Sequence, residues 1–113
     1  AMDQIMKESG VRLSFELNEL LHQRAVHFDE ECKKCIKEAA IELYGEDQTL
    51  PIVSGAGHDS GLTALKCPTA MIFIPSRDGV SHNPEEYSTP EQVHEGFEVM
   101  LNAVLKYDAQ RKD

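Results

Sequence analysis

The sequence predicts an α/β fold built from parallel strand–helix–strand units. Three observations point to it. Hydrophobic periodicity gives the order strand, helix, strand, helix, strand, helix. The run at residues 69–74 is apolar after its first residue, as expected of a central strand covered on both faces. A glycine-rich turn, SGAGHD at residues 54–59, sits between a strand and a helix, where α/β proteins gather their chemistry.

At residues 11–17, Val11, Leu13, Phe15 and Leu17 alternate with Arg12, Ser14 and Glu16. That period of two predicts a half-buried, antiparallel strand, which differs in pattern from the others and is expected in another sheet. Residues 18–28 read as strand extension, turn or polar connector. Asp29 is a helix N-cap for residues 30–44, with Cys32, Ile36, Ala39, Ala40 and Leu43 on the apolar face and Gly45 at the end. A polar turn and a short apolar strand at residues 50–53 follow. Residues 58–66 predict a short helix, weakened by Gly61 and broken by Pro68. Residues 75–84 form a loop. Thr89-Pro90-Glu91-Gln92 is a helix start with cap, N1 proline and a glutamine at the third position. Val93, Phe97, Met100, Leu101 and Val104 predict a core-facing stripe to about Tyr107, with Lys106 suiting the helix dipole.

The chain has 113 residues, enough for one domain with one modest core. It is 41% hydrophobic and 27% charged, which is ordinary for a globular protein. A net charge of -9 argues against nucleic-acid and anionic-membrane partners. No apolar run approaches a membrane span and no secretory signal is visible. Ala1-Met2 reads as a cloning remnant, so the natural chain is expected to begin elsewhere. Three cysteines without a disulfide-like framework suit a reducing compartment. Cys32 and Cys35 form a CxxC, but no second CxxC or histidine pair accompanies it. Small buried or half-buried residues are the favoured reading of that pair, and Cys67 beside Pro68 reads as core.

The chemistry concentrates in residues 54–86. SGAGHD offers backbone N–H groups at a helix start, a seat for an anion. It is neither a Walker loop nor a dinucleotide fingerprint, and a nucleophilic Ser54 lacks the G-x-S-x-G pattern. A tight structural turn is the competing reading. His82, in GVSHNP, reads as metal ligand, acid–base group or surface residue. His58 beside Asp59 suggests an oriented imidazole, although adjacent helical residues rarely face each other. His22, His27 and His94 lack any ligand-like context.

SGAGHD followed by PTAMIFIPSRDGVSHNPEEYSTPEQV closely resembles the C-terminal end of the dinuclear-zinc amidohydrolases. These include N-carbamoyl-L-amino-acid hydrolases, yeast-type β-ureidopropionases (β-alanine synthases) and allantoate amidohydrolases, which are related to aminoacylase-like metallopeptidases. The resemblance spans roughly residues 10–108. HFDEECKKCIKEAA is similar to the family's return from its smaller dimerisation domain into its catalytic domain, and YSTPEQVHEGFEVMLNAVLKYD is most similar to fungal members.

The resemblance implies part of a three-layer sheet from the C-terminal part of a zinc-exopeptidase-like catalytic domain (residues 29–113), with a remnant strand and connector of the dimerisation domain at residues 1–28. It implies a cytoplasmic, homodimeric parent that hydrolyses linear amide or ureido C–N bonds with two zinc ions, manganese being the alternative. His82 would be a zinc ligand, Gly57 would offer its backbone to a small-molecule substrate, and His58 would line the pocket. Asn83 and Glu86 would shape the ligand loop, and Asp59 would cap the short helix. The family's other ligands, its glutamate base and its substrate-carboxylate arginine have no counterpart here. The expectation is therefore a fragment that is inactive alone and holds no metal stably. The alternatives are a non-catalytic binding module and an aminoacylase or dipeptidase relative. An upstream reading frame carrying an HxD and an EE pair separates enzyme from module. The strand at residues 11–17, cut free of its sheet, is expected to promote association.

Overall fold

Two long helices, packed side by side, carry the only fully buried side chains described. The computed structural model describes residues 2–10 and 14–111. Four α-helices occur in them: α1 (Met2–Ser9), α2 (Glu30–Tyr44), α3 (Asp59–Thr63) and α4 (Pro90–Gln110). Short 3-10 turns lie at Glu46–Gln48 and Arg77–Gly79. None of these helices is long and apolar enough to cross a membrane.

Local chemistry explains where the long helices start and stop. The Asp29 carboxylate accepts from Cys32 N at 2.9 Å, and that bond holds its pKa below the usual carboxylate value. Gly45 ends α2 at φ 93°, ψ 160°, donating its N–H to the Ile41 carbonyl, and a side chain there would strain the backbone. Thr89 and Gln92 form the reciprocal capping box, Thr89 N donating to Gln92 Oε1 at 2.9 Å and Gln92 N to Thr89 Oγ1 at 3.2 Å.

Helices α2 and α4 run antiparallel. Tyr44 pairs with Glu98, Glu42 with Lys106, and Cys35 with Gln110. Between them lie Cys35 (1% exposed), Ala39 (0%), Val99 and Ala103, with Ile36, Ala40, Tyr44 and Ile72 packed around. The small side chains let the two backbones approach closely. At one end the Tyr44 hydroxyl donates to Glu98 Oε2 at 2.6 Å, and this carboxylate pushes the phenol up to about 12.

The apolar faces differ from the sequence expectation. On α2 the buried positions are Cys35 and Ala39, whereas Cys32 is half-buried and Leu43 exposed. On α4 the expected stripe of Val93, Phe97, Met100, Leu101 and Val104 faces outward, Phe97 being 52% exposed. Cys67, expected in the core, is an exposed free thiol at the end of the turn after α3. The reason is common to all three: the described residues place no neighbour over these faces. Where a modest core is expected for 113 residues, the buried cluster among the described residues comprises four side chains. The radius of gyration is 20.1 Å, against about 13 Å for a compact domain of this length.

The predicted strands are not formed among the described residues. Residues 11–13 of the first lie outside them, and Phe15 and Leu17 in its remainder are exposed. Residues 50–53 are solvent-facing, Val53 being 99% exposed, and residues 69–74 carry no ladder. A strand needs a partner for its N–H and C=O groups, and among the described residues these segments form no ladder. The α1 helix has no counterpart in the sequence reading.

The 69–75 segment is nevertheless fixed against the helix pair. Asp29 N donates to the Thr69 carbonyl at 2.9 Å, and Ile72 packs on the α2–α4 core. Ile74 lies so close to Gly96 of α4 that an added Cβ would collide with its Cγ2 methyl. Gly96→Ala is therefore expected to destabilise. Helix propensity alone would favour alanine by about 1 kcal/mol, whereas overpacking a β-branched neighbour costs about 1–3 kcal/mol. A lower thermal midpoint than wild type is the expected result; a higher one would show that Ile74 does not sit there.

Candidate functional site

The turn at residues 54–58 is built by its own small side chains. Ala56 N donates to Ser54 Oγ at 3.2 Å, folding the chain back on itself. Gly57 faces the connector: a Cβ there would lie 3.1 Å from Gln23 Oε1. Gly61, buried in α3, would bring its Cβ to 3.5 Å from Val26. Residues 23–26 thus lie over the turn and the start of α3, with the Gln23 side chain closest at Gly57.

His58 occupies the N-cap position of α3 without a side-chain capping bond. Asp59 is the first helical residue and not the cap, so its expected capping role is corrected. Ser54 Oγ and His58 Nε2 instead share a hydrogen bond of 2.7 Å. The His58 ring meets Phe73 edge-on, centroids 5.6 Å apart at 70°. On the far side of α3, Ser60 Oγ bonds Met71 Sδ, which ties this helix to the 69–75 segment.

His82 reaches the same place from the following loop. Its own backbone is left-handed, φ 55°, as is that of Asp78, φ 54°. The loop is closed at its neck: Arg77 N donates to the Tyr87 carbonyl at 2.8 Å and Ser88 Oγ to the Pro75 carbonyl at 2.7 Å. The Arg77 guanidinium lies over the Tyr87 ring at 4.4 Å. Inside, Asn83 Oδ1 accepts from Glu85 N at 2.9 Å, and the Asn83 carbonyl accepts from Glu86 N at 2.9 Å. Asn83 therefore shapes the loop through its side chain, and Glu86 does so through its backbone. The result is a self-supported Ω-type loop that presents one imidazole.

The two motifs meet at His58 and His82, whose ring centroids are 6.2 Å apart at 69°. Both belong to accessible surface, His82 exposed and His58 half-buried. A broad groove of about 1120 Å³ runs past His58, Ser54 and Gly57 toward Phe73; His82 is not among its lining residues. His22 and His27 are exposed, and His94 lies 3.7 Å from Glu98 on α4. The CxxC pair is unsuited to redox work: Cys35 is buried, and burial together with the Asp29 carboxylate pushes the Cys32 thiol up to about 11.

These side chains do not by themselves fit a catalytic metal pair. Among the described residues no group of three or more His, Cys, Asp or Glu converges into a cage. A catalytic zinc takes about three protein ligands, and this site offers two imidazoles.

Sequence reasoning found both histidines from their glycine-rich surroundings. It missed the Ser54–His58 bond and the Phe73 contact, because a four-residue spacing inside a turn does not fix side-chain direction.

The sequence pattern of the peptidase family M20/M25/M40 matches residues 5–106. An allantoate amidohydrolase from Bacillus subtilis (strain 168) is 33% identical over 102 residues, covering 90% of this chain and 24% of the relative. An N-carbamoyl-L-amino acid amidohydrolase from Geobacillus stearothermophilus is 41% identical over 100 residues, covering 88% and 24%. A ureidoglycolate hydrolase from Arabidopsis thaliana is 45% identical over 73 residues, covering 65% and 15%. The chain thus spans about a quarter or less of the length of these curated relatives. With almost its whole length matched, the chain belongs to the peptidase family M20/M25/M40.

Proposed function

We propose that this chain is the C-terminal part of a metal-dependent hydrolase that cleaves linear amide or ureido C–N bonds of the N-carbamoyl amino acid, N-carbamoyl-β-alanine or allantoate type. The observation that carries this reading is the meeting of two motifs, SGAGHD and SHNP, at two imidazoles 6.2 Å apart. The names of the relatives support it, since those that match over most of this chain include amidohydrolases named for allantoate and for N-carbamoyl-L-amino acids.

In this reading His82 is one ligand of a zinc or manganese pair, and the other ligands and the general base come from residues outside this chain. When bound, the metals would supply an activated water. This chain's own contribution is positional. Gly57 offers backbone to the substrate, His58 lines the groove, and the Asn83 turn holds the His82 loop. Residues 1–28 belong to a dimerisation domain and residues 29–113 to a catalytic domain whose sheet includes residues 50–53 and 69–74. The longer protein is a cytoplasmic homodimer.

The chain alone is expected to hydrolyse neither N-carbamoyl-β-alanine nor allantoate in the presence of zinc or manganese, measured as ammonia or amine release. A protein of full family length carrying this segment is expected to turn over at least one of them. Turnover by the chain alone would remove the division of labour proposed. Dipeptide hydrolysis by the longer protein, without ureido cleavage, would replace the ureido reading with an aminoacylase or dipeptidase one.

A further inference from the structure

We propose that Ser54 is a positioning residue for His58: its hydroxyl donates to Nε2 and fixes the ring as the Nδ1–H tautomer. The argument starts from the proton inventory of one oxygen. A serine hydroxyl has one proton to give and two lone pairs to receive. Ser54 Oγ already accepts from Ala56 N at 3.2 Å. Its second close partner is His58 Nε2 at 2.7 Å. If Oγ donates to the ring, the three groups form one chain polarised in a single direction, from the Ala56 amide through the hydroxyl to the imidazole. Hydrogen bonds aligned in this way strengthen one another. If the ring donated instead, the oxygen would receive from both sides and the alignment would be lost.

The consequence is specific. A neutral imidazole that accepts at Nε2 carries its proton on Nδ1. Phe73, meeting the ring edge-on, and Ser54, bonded to one nitrogen, together fix the ring against rotation. His58 then presents a single N–H donor, whose natural partner is a carbonyl or carboxylate oxygen. This deepens the function proposed above and rests on it only for the identity of that oxygen; the tautomer itself is a property of this chain.

The test is a two-bond proton–nitrogen correlation spectrum of the 113-residue chain, labelled at histidine, without metal or substrate. It is recorded about two pH units above the ordinary imidazole value of 6.5. Wild type is expected to show His58 mainly as Nδ1–H. Ser54→Ala is expected to lower the ratio of that form to the Nε2–H form by about 2- to 10-fold, the equivalent of one ordinary hydrogen bond, and Ser54→Thr to restore it. Ser54 is exposed, so neither change should alter the helical content, which circular dichroism checks. A wild-type ring found as Nε2–H, or equal ratios in wild type and Ser54→Ala, would overturn the proposal. Because no substrate is present, that failure is separate from a failure of the hydrolase reading, which the turnover assay reports.

Discussion

Replacing Ala39 with leucine is expected to part α2 from α4. Ala39 has no exposed surface and sits in a four-residue core with Cys35, Val99 and Ala103. Three added heavy atoms have nowhere to go between two closely spaced backbones. Overpacking of this kind costs about 1–3 kcal/mol in a large core. Here the core is so small that the same cost is expected to remove most of the cooperative unfolding signal. Helix propensity does not confound the result, because leucine is nearly as good a helix former as alanine. Lys34→Leu, on the exposed face of the same helix, is the control and should leave the melt nearly unchanged. The measurement is a thermal melt followed by far-ultraviolet circular dichroism. An Ala39→Leu melt that coincides with wild type would mean that the helices do not pack along this seam.

The second large effect concerns His82, in a protein of full family length. His82→Ala is expected to lower kcat/KM by more than about 100-fold. The reasoning is comparative: residues that merely orient metal ligands are worth about 10–100-fold, so a ligand itself should be worth more. The left-handed backbone at this position, φ 55°, complicates an alanine result. Alanine dislikes that conformation by about 1–2 kcal/mol, whereas asparagine tolerates it. His82→Asn therefore separates the lost imidazole from a distorted loop. Both variants should lose activity and bound metal together. An asparagine variant that keeps its metal and its rate would sink the ligand assignment.

What was legible in the sequence was local. Asp29 and the Thr89–Gln92 box act within one turn of chain, and the structure uses them as caps. Helix faces were less legible. Periodicity identified the more apolar stripe of α4, through Phe97, Met100 and Leu101, yet the stripe that is covered runs through Val99 and Ala103. Hydrophobicity says which face seeks cover; it does not say which neighbour is present to give it. Strands depend on neighbours even more, since each needs a partner along its whole length, and residues 50–53 and 69–74 form no ladder among the described residues. At the site, glycine and histidine spacing located the turn and the loop. The 2.7 Å bond from Ser54 to His58 depends on rotamers, which spacing does not encode.

The thiol at Cys67 has a practical consequence. Cys35 is shielded between helices and Cys32 holds its proton until strongly alkaline conditions, whereas Cys67 stands open at the end of the turn that follows α3. Brief treatment with a maleimide dye near neutral pH should attach a single fluorophore. That dye would sit just beyond the short helix that follows His58, giving an optical reporter for rearrangement of this turn.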